Sequence, residues 1–210
     1  MLKQTIFFSC LLISKTLAAP SDGLLAYWNL DNNTTDTAPS GTANNNGSWV
    51  GGSSYSSTNA QFGSAGAFNG SNYISIPHGN DIASNGGSLT VSIWCQVGAW
   101  DTSWQALLSK GEGTNYRLAR RGNDQNEISY AGGSADISGG AINDGNWHHI
   151  MAVSDAGEGT YLYVDGQEVA TGVAPSLTDQ SLNLLIGENP GATGRRWNGG
   201  IDDVAIFDIP

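Results

Sequence analysis

Charged residues are scarce in this sequence, and basic residues are scarcer than acidic ones. Lysine and arginine together number 8 among 210 residues, against 19 aspartates and glutamates, so the formal net charge at pH 7 is −11. Binding nucleic acid needs clustered positive charge to neutralise phosphates, and the only basic pairs are Arg120-Arg121 and Arg195-Arg196. The composition therefore argues against a nucleic-acid partner. It is compatible with divalent cations, neutral glycans or simple solubility.

Cysteine is nearly absent, and one of the two cysteines lies in an N-terminal segment that predicts processing. This segment starts with a positive charge, continues with the apolar run Ile6–Ile13 and ends in small residues. That is the layout of a secretory signal peptide, over residues 1–19, cleaved after Ala18 or Ala19. Lys15 keeps the run too short to span a bilayer. We therefore expect a secreted protein in which Cys95 has no disulfide partner and serves as a small buried apolar residue.

Helical periodicity is missing too, because no window repeats apolar residues at the i, i+3, i+4, i+7 spacing over several turns. The chain instead carries short apolar runs between turn residues, and 29 of its residues are glycine. In Leu89–Val97, apolar residues alternate with others as in a strand with one buried face. Asp165-Gly166 predicts a two-residue hairpin turn. The predicted strands are Leu24–Leu30, Ala65–Asn69, Tyr73–Ile76, Leu89–Val97, Ala106–Lys110, Tyr116–Ala119, Glu127–Tyr130, Trp147–Ser154, Thr160–Val164, Gln167–Ala170, Leu184–Gly187 and Gly200–Phe207.

Strands at this regular spacing predict an all-β fold, a two-sheet antiparallel jelly-roll sandwich. No linker, charge run or internal repeat divides the chain, so residues 20–210 form one predicted domain. Phe207 and Ile209 are still strand-like where the sequence stops at Pro210. We therefore expect a truncated C-terminus, with the chain forming part of a longer protein.

Six short motifs occur in the order found in a known family. They are Gly23–Trp28, Phe62–Pro77, Ser88–Trp94, Asp144–Ile150, Tyr161–Gly166 and Gly199–Val204. Together they resemble the LamG-like jellyroll domains of the concanavalin A-like lectin/glucanase superfamily. The resemblance implies two antiparallel sheets, often a structural calcium, and a role in glycan binding or adhesion, frequently as an accessory part of a larger extracellular protein. The family has no single activity, so the fold does not determine the function.

The polar stretch after the first strand is the predicted calcium site. It is rich in carboxylate and amide oxygens, which Ca²⁺ prefers. The resemblance implies that such a loop lies near the acidic last strand, as it does in calcium-binding relatives. This maps onto Asp36, Asn44 and Asn46 on one side and Asp202 on the other. The alternative is that these side chains only satisfy turns through local backbone hydrogen bonds.

Two tryptophans are the best candidates for a glycan-binding surface. A sugar stacks its apolar face on an aromatic ring, and its hydroxyls need hydrogen-bond partners. Trp100 and Trp104 bracket a polar loop, and Tyr116, Arg117 and residues 123–126 are predicted to supply polar contacts. The alternative is that one of the two tryptophans caps the core. Three other tryptophans are predicted to have a structural role by capping the core, namely Trp28, Trp94 and Trp147, and Trp197, just before the last strand, is predicted to be structural as well.

The sequence predicts no catalytic residues. Retaining glucanases of the superfamily carry an E-x-D-x-x-E cluster that places two carboxylates about 5 Å apart, and none of the glutamates occurs in that spacing. His148 and His149 are adjacent on a predicted strand, so they point to opposite faces and are not expected to share a metal ion. We expect both to be packed or at the surface.

These observations lead to a first hypothesis of a secreted, calcium-stabilised, non-catalytic module that binds carbohydrate or a glycosylated surface. A second hypothesis is a structural or protein-binding accessory domain of a larger extracellular protein or enzyme. A third, disfavoured by the missing acid pair, is a glycan-cleaving enzyme.

Overall fold

The computed structural model of the protein describes residues 22–39, 45–79, 81–83 and 87–210. The predicted signal peptide and Asn44 lie outside the described residues. Within the described ranges the strands are β1 (Leu24–Trp28), β2 (Ser48–Val50), β3 (Tyr55–Ser56), β4 (Ala65–Asn69), β5 (Tyr73–Ile76), β6 (Leu89–Val97), β7 (Ala106–Ser109), β8 (Tyr116–Arg120), β9 (Glu127–Gly132), β10 (Ile137–Ala141), β11 (Trp147–Ser154), β12 (Thr160–Val164), β13 (Gln167–Gly172), β14 (Leu184–Ile186) and β15 (Asn198–Phe207). In these ranges no helix is long and apolar enough to cross a membrane.

The strands form two antiparallel sheets that enclose one main hydrophobic core. Sheet A has the order β13-β12-β11-β6-β15-β4-β3, with β1 paired to β15. Sheet B has the order β10-β9-β8-β7-β14-β5-β2. The core draws its buried apolar residues from both sheets, so each sheet has an inner face and an outer face. The predicted all-β sandwich is confirmed.

Strand β6 shows how alternation produces the core. Its odd-numbered residues, from Leu89 to Val97, are at most 4% exposed, whereas Ser92 and Trp94 on the other face are only partly buried. Cys95 is one of the inward residues and has no disulfide partner. Burial raises the pKa of its thiol, which keeps the sulfur protonated and unreactive. The predicted role of Cys95 as a small buried residue is therefore confirmed.

The first and last strands are neighbours, as the resemblance implies. β1 pairs with the second half of β15, and β4 pairs with the first half. The register of β15 against β6 shifts between Asp202 and Ala205. Within this bulge Asp203 has a φ of 44°, a left-handed conformation that a non-glycine residue adopts only when its surroundings hold it there. The bulge turns two acidic side chains out of the regular ladder.

The four tryptophans predicted to be structural divide into two pairs. Trp28 and Trp197 are completely buried. Trp94 and Trp147 are only half-buried and lie on the outer face of sheet A, so their predicted place in the core is wrong. Each of these two rings occupies a strand position between inward-facing residues, and the two-residue period of a strand therefore directs it outward.

The sequence does not predict β2, β3 or β10. Strands β2 and β3 contain three and two residues, which is too few for an alternating pattern to be visible. Strand β10 contains Gly139 and Gly140, and its register against β9 shifts at this point. Paired glycines resemble a turn in a sequence, yet in a strand they mark an irregularity of this kind.

The β12–β13 hairpin contains the predicted turn, and its Asp165 is one of the two carboxylates that contact His148. Asp165 and Gly166 have φ angles of 51° and 76°, as the favoured two-residue hairpin turn requires. Asp165 Oδ2 lies 2.8 Å from His148 Nδ1, and Asp144 Oδ1 lies 2.9 Å from His148 Nε2. Burial alone would lower the pKa of His148, but the hydrogen bonds to Asp144 and Asp165 raise it above its ordinary value. The His148 ring thus links two turns through its two carboxylate partners.

His149 points to the opposite side of β11, as predicted. Its Nε2 lies 2.8 Å from the hydroxyl of Ser92 on the outer face of sheet A. Burial lowers the pKa of His149, and the charge of Asp165 only partly offsets that shift. The neutral imidazole is therefore the form that the fold favours at this position.

The two histidines should affect the pH dependence of stability in opposite directions. Because the folded state raises the pKa of His148, its contribution is present below about pH 6.5 and is lost as pH rises through the folded pKa. His149, with a lowered pKa, contributes above about pH 6.5 and loses that contribution as pH falls. In urea titrations from pH 5 to 8, His148→Gln should flatten the alkaline decline, whereas His149→Gln should flatten the acidic one. Identical pH profiles for both variants would contradict this assignment.

Candidate functional site

The loop between β6 and β7 carries both tryptophans predicted for glycan binding. Trp100 is half-buried, and its indole N–H donates to the carbonyl of Gln125 at 3.0 Å. Its ring meets the buried ring of Trp197 edge-to-face, with 5.3 Å between centroids, and the guanidinium of Arg120 lies 5.4 Å from the Trp100 centroid. Trp100 therefore anchors the loop to the end of the core.

Trp104 is held in a different way. Its φ of 57° is left-handed, which is costly for a bulky residue and is found mostly where a site needs a particular side-chain direction. The backbone N–H of Trp104 donates to the carbonyl of Gly122 at 3.0 Å. The ring lies near two guanidinium groups, with Arg117 at 4.8 Å and Arg121 at 5.2 Å from its centroid. The half-buried indole is thus fixed against sheet B.

Arg117 is the centre of a polar network on the outer face of sheet B. Its neighbours Tyr116 and Leu118 on β8 point into the core, so strand alternation places Arg117 on the opposite face. One guanidinium nitrogen is ion-paired with Glu112, and another donates to Asp136 at 2.6 Å. Arg117 is only 4% exposed, yet its Nε has no hydrogen-bond partner among the described residues.

Glu112 extends this network toward β15. Its Oε1 accepts hydrogen bonds from Asn189 at 2.7 Å and from Arg195 at 3.1 Å. The network therefore joins residues from three separate loops around β8. A surface of this kind offers an aromatic ring, guanidinium and amide donors and carboxylate acceptors side by side, the combination that holds a polyhydroxylated ligand.

Tyr116 has no place in this surface. Its side chain is 0% exposed, and its hydroxyl donates to the carbonyl of Ile82 at 2.8 Å inside the core. The prediction that Tyr116 contacts a glycan is therefore wrong. Tyr116 occupies the inward position of β8 next to the outward Arg117, and alternation allows only one of two adjacent residues to face outward.

Comparison with known proteins identifies the fold family. Residues 68–210 match the family Laminin_G_3, described as the concanavalin A-like lectin/glucanases superfamily. The chain belongs to this family. A search of curated protein sequences gives no match. The match agrees with the two-sheet architecture of this Laminin_G_3 domain and with the resemblance of its motifs.

Solved structures share the fold of the Laminin_G_3 domain. Domain 4 of AbnA, a GH43 extracellular arabinanase from Geobacillus stearothermophilus, in complex with arabinotriose, is 23% identical with a TM-score of 0.67, over 88% of this chain and 92% of that one. The botulinum neurotoxin serotype D/C binding domain is 14% identical with a TM-score of 0.69. A structure of botulinum neurotoxin type C, whose cell entry depends on two ganglioside molecules, is 12% identical with a TM-score of 0.65. Each toxin alignment covers 90% of this chain and 49% of the toxin chain, so the domain spans about half of each.

The predicted calcium ligands of the Laminin_G_3 domain fall into two places. Asp36 and Asn46 are neighbours, because the backbone N–H of Asp36 donates to Asn46 Oδ1 at 2.8 Å. The side-chain amide of Asn45 donates to Asp36 Oδ2 at 3.0 Å and to Asp81 Oδ2 at 2.9 Å. Two carboxylates thus converge on one amide. Asp81 belongs to this group but lies far along the chain from Asp36, and no local pattern in the sequence indicates it.

Asp202 lies in the β15 bulge and bonds to other partners. Its side chain is 0% exposed and accepts hydrogen bonds from the backbone N–H groups of Gln61, Phe62 and Asp203 at 3.1, 2.9 and 3.0 Å. Burial raises the pKa of Asp202 to about 7. Among the described residues, no group of three or more His, Cys, Asp or Glu side chains is arranged to hold a metal ion. Calcium binding stays a prediction.

A second surface feature lies on the outer face of sheet A. A pocket of about 280 Å³ is lined by Thr90, Ser92, Met151, Val153, Phe207, Ile209 and Pro210. Its two hydroxyls are already used, by the carbonyl of Ile209 and by His149 respectively. The remaining lining is apolar, so the pocket offers few partners for the hydroxyls of a sugar. The outer face of sheet B, by contrast, carries polar and charged side chains beside the Trp104 ring.

The sequence indicates only part of the sheet B site. Trp104 and Arg117 appear among the predicted contacts, whereas Asp136 and the ion-pairing role of Glu112 do not. An arginine at an outward strand position, between two apolar residues that face the core, is a pattern that the sequence alone can show. Its acidic partners lie in separate loops, and their approach depends on the pairing of β7, β8 and β9.

Proposed function

We propose that this Laminin_G_3 domain is a secreted, non-catalytic module that binds carbohydrate on the outer face of sheet B. The observation that carries the proposal is the ring of Trp104, held at a left-handed φ of 57° against the buried guanidinium of Arg117. Strain of this kind persists only where surrounding contacts hold the residue in place, and it clusters at ligand-binding sites. A partly exposed indole offers a sugar its apolar surface.

The hydrogen-bond network of Arg117, which lies against the Trp104 ring, supplies the polar half of such a site. The carboxylates of Glu112 and Asp136 accept hydrogen bonds, and Asn189 and Arg195 donate them. Sugar hydroxyls both donate and accept, so a mixed set of fixed partners suits them. Because these groups already hold one another in place, little side-chain entropy remains to be lost when a ligand binds.

Two of the structural neighbours support a saccharide as the ligand. Domain 4 of the arabinanase AbnA is described in complex with arabinotriose. Botulinum neurotoxin type C depends on two ganglioside molecules for cell entry. Each has the same fold at low sequence identity. The two neighbours therefore support the ability of this fold to bind a saccharide, whereas the identity of the ligand is argued from the residues of this domain.

The ion pairs favour binding over catalysis. Glycoside hydrolysis requires one protonated carboxylic acid to donate a proton and a second carboxylate to act as nucleophile or base. Glu112 and Asp136 are both bonded to the same guanidinium of Arg117. Both carboxylates therefore already serve as hydrogen-bond acceptors for Arg117, an arrangement that holds them in place within the network.

A glycan array followed by isothermal titration calorimetry tests the proposal. Purified protein should bind a restricted set of oligosaccharides with Kd values in the micromolar to millimolar range and release no reducing ends from them. Absence of binding to every glycan, with and without calcium, would overturn the proposed function. Reducing-end release would overturn the non-catalytic part alone.

We further propose that calcium stabilises the domain through the loop after β1. The carboxylates of Asp36 and Asp81, together with the side-chain oxygens of Asn45 and Asn46, form a donor set of hard oxygens of the kind that Ca²⁺ prefers. The cation would neutralise two carboxylates that now share one amide group. Asp202 is the alternative anchor predicted from the family resemblance.

The calcium proposal predicts a concentration-dependent melting temperature. At calcium levels about 100 times Kd, mass action adds about 2.7 kcal/mol of stability, which corresponds to a Tm increase of roughly 5–10 °C for a domain of this size. Asp36→Asn and Asp81→Asn should abolish the increase, whereas Asp155→Asn, in an exposed turn, should retain it. If only Asp202→Asn abolished the calcium-dependent increase in Tm, the calcium site would be assigned to the β15 bulge instead. An unchanged melt in excess chelator would rule out bound calcium.

A further inference from the structure

We propose that the saccharide bound by sheet B carries a carboxylate, and that Arg121 receives it together with the free Nε–H of Arg117. This inference rests on the proposed glycan-binding function and names the chemical class of its ligand. Uronic acids and sialic acids share the required chemistry, since both attach a carboxylate to a six-membered sugar ring.

The distribution of positive charge is the first argument. The lysines and arginines of the described residues all belong to sheet B or to the loops around it: Lys110, Arg117, Arg120, Arg121, Arg195 and Arg196. The whole chain has a formal net charge of −11, so among the described residues this is the region where an anionic ligand meets positive side chains. Beside the Trp104 ring lie two guanidinium groups, those of Arg117 and Arg121, and the nearby carboxylates are those of Glu112 and Asp136.

Most of these cations are already satisfied within the protein. Arg120 donates to the backbone carbonyls of residues 102, 123 and 124. Arg196 is ion-paired with Glu188 at 3.1 Å, and Arg195 with Glu112 at the same distance. These guanidinium groups therefore act mainly as internal supports for their loops.

Arg121 is different from the other arginines. Its side chain is 42% exposed, and the nearest carboxylate oxygen in the described part of the chain, on Asp136, is 4.0 Å away. That separation is the outer limit of an ion pair, and an exposed pair of this kind contributes little. The Arg121 guanidinium rests near the Trp104 ring, which orients it while leaving its N–H groups available to a ligand.

Arg117 contributes one further donor. The residue is 4% exposed, and its Nε is a buried nitrogen without a hydrogen-bond partner among the described residues. A buried donor left unpaired is unfavourable, and a ligand acceptor at this position would remove that penalty. The free donors of Arg117 and Arg121 lie beside the same indole ring.

A carboxylate matches these donors better than a hydroxyl does. Guanidinium and carboxylate are both planar and form charge-assisted, often two-point hydrogen bonds. In a uronate or sialate, the ring that carries the carboxylate also presents an apolar face to the indole. A neutral sugar would use the ring of Trp104 but would leave the charge of Arg121 unpaired.

Calorimetry with matched acidic and neutral probes tests this inference. The acidic probes are tri-galacturonate and sialyllactose, and the neutral ones are the methyl ester of tri-galacturonate and lactose. We expect at least one acidic probe to bind about tenfold more tightly than its neutral partner, with the preference decreasing between 0.05 and 0.5 M NaCl. Preferential binding of tri-galacturonate would identify a uronate as the ligand, and preferential binding of sialyllactose would identify a sialate.

Variants locate the charge preference. Arg121→Gln should remove the tenfold preference, so that this variant binds the acidic probe and its neutral partner with equal affinity. Arg196→Gln, which removes an equal charge from a side chain that is 37% exposed and paired with Glu188, should retain the preference. Equal affinity for acidic and neutral probes, or neutral binding alone, would overturn the inference and leave the proposed function intact. Binding to no glycan at all would overturn both.

Discussion

Trp104→Ala should weaken glycan binding by about 10- to 100-fold without unfolding the domain. Central aromatic residues of a binding site commonly contribute 2 kcal/mol or more, which corresponds to about 30-fold in Kd. The indole of Trp104 is half-buried and lies outside the main core, so its loss should cost little stability. Titration calorimetry with the best glycan of the array gives the affinity, and a melting curve confirms the fold.

Two further variants separate a binding role of Trp104 from a structural one. Trp49→Ala removes a half-buried indole from the far edge of sheet B, where it contacts Tyr55 and Phe68, and should leave binding unchanged. Trp104→Gly should lose binding as fully as Trp104→Ala, but it should melt at a higher temperature because glycine adopts a φ of 57° without strain. Normal affinity in both Trp104 variants would exclude this ring from the site.

The buried ion pair of Lys110 and Asp179 should give the largest stability effect. The Lys110 side chain is 0% exposed, and its ammonium lies 3.3 Å from Asp179, 3.0 Å from His78 Nδ1 and 2.7 Å from the carbonyl of Leu182. Burial lowers the pKa of Lys110, and the charge of Asp179 only partly offsets that shift. Asp179→Asn removes the counter-charge and should cost about 3 kcal/mol, or roughly 6–12 °C in Tm.

A double-mutant cycle shows whether the cost arises from an unpaired charge. Lys110→Met with Asp179→Asn removes both charges and should be more stable than Asp179→Asn alone. In Asp179→Asn the stability should also rise with pH, because the folded state favours the neutral form of a buried lysine. A double variant less stable than Asp179→Asn would contradict this account.

Much of the fold can be predicted from the sequence because strand alternation is local. The pattern in Leu89–Val97 specifies which side chains of β6 face the core, and Asp165-Gly166 specifies the hairpin turn by its conformational preference. The same rule, applied strictly, would have placed Trp94 outside the core and Tyr116 inside it. At both positions an aromatic residue type misleads, because strand position decides which face the side chain occupies.

The proposed glycan and calcium sites depend on contacts that no local pattern contains. Asp136 meets Arg117 because β8 and β9 pair, and Asp81 meets Asn45 because the chain returns to the loop after β1. Asp202 faces residues 61 and 62 because β15 is bulged at that position. Each of these contacts joins residues that are distant in the sequence.

The all-β class, the period of most strands, the scarcity of positive charge and the choice of Trp104 as a candidate all follow from the amino-acid sequence. The pairing of the strands in three dimensions places the six described cations around one sheet, sets Trp104 against Arg117 and leaves the guanidinium of Arg121 available. The difference arises from the range over which the interactions act. Alternation and turn preference act between adjacent residues, whereas a binding surface is formed by long-range strand pairing that brings separate loops to one face.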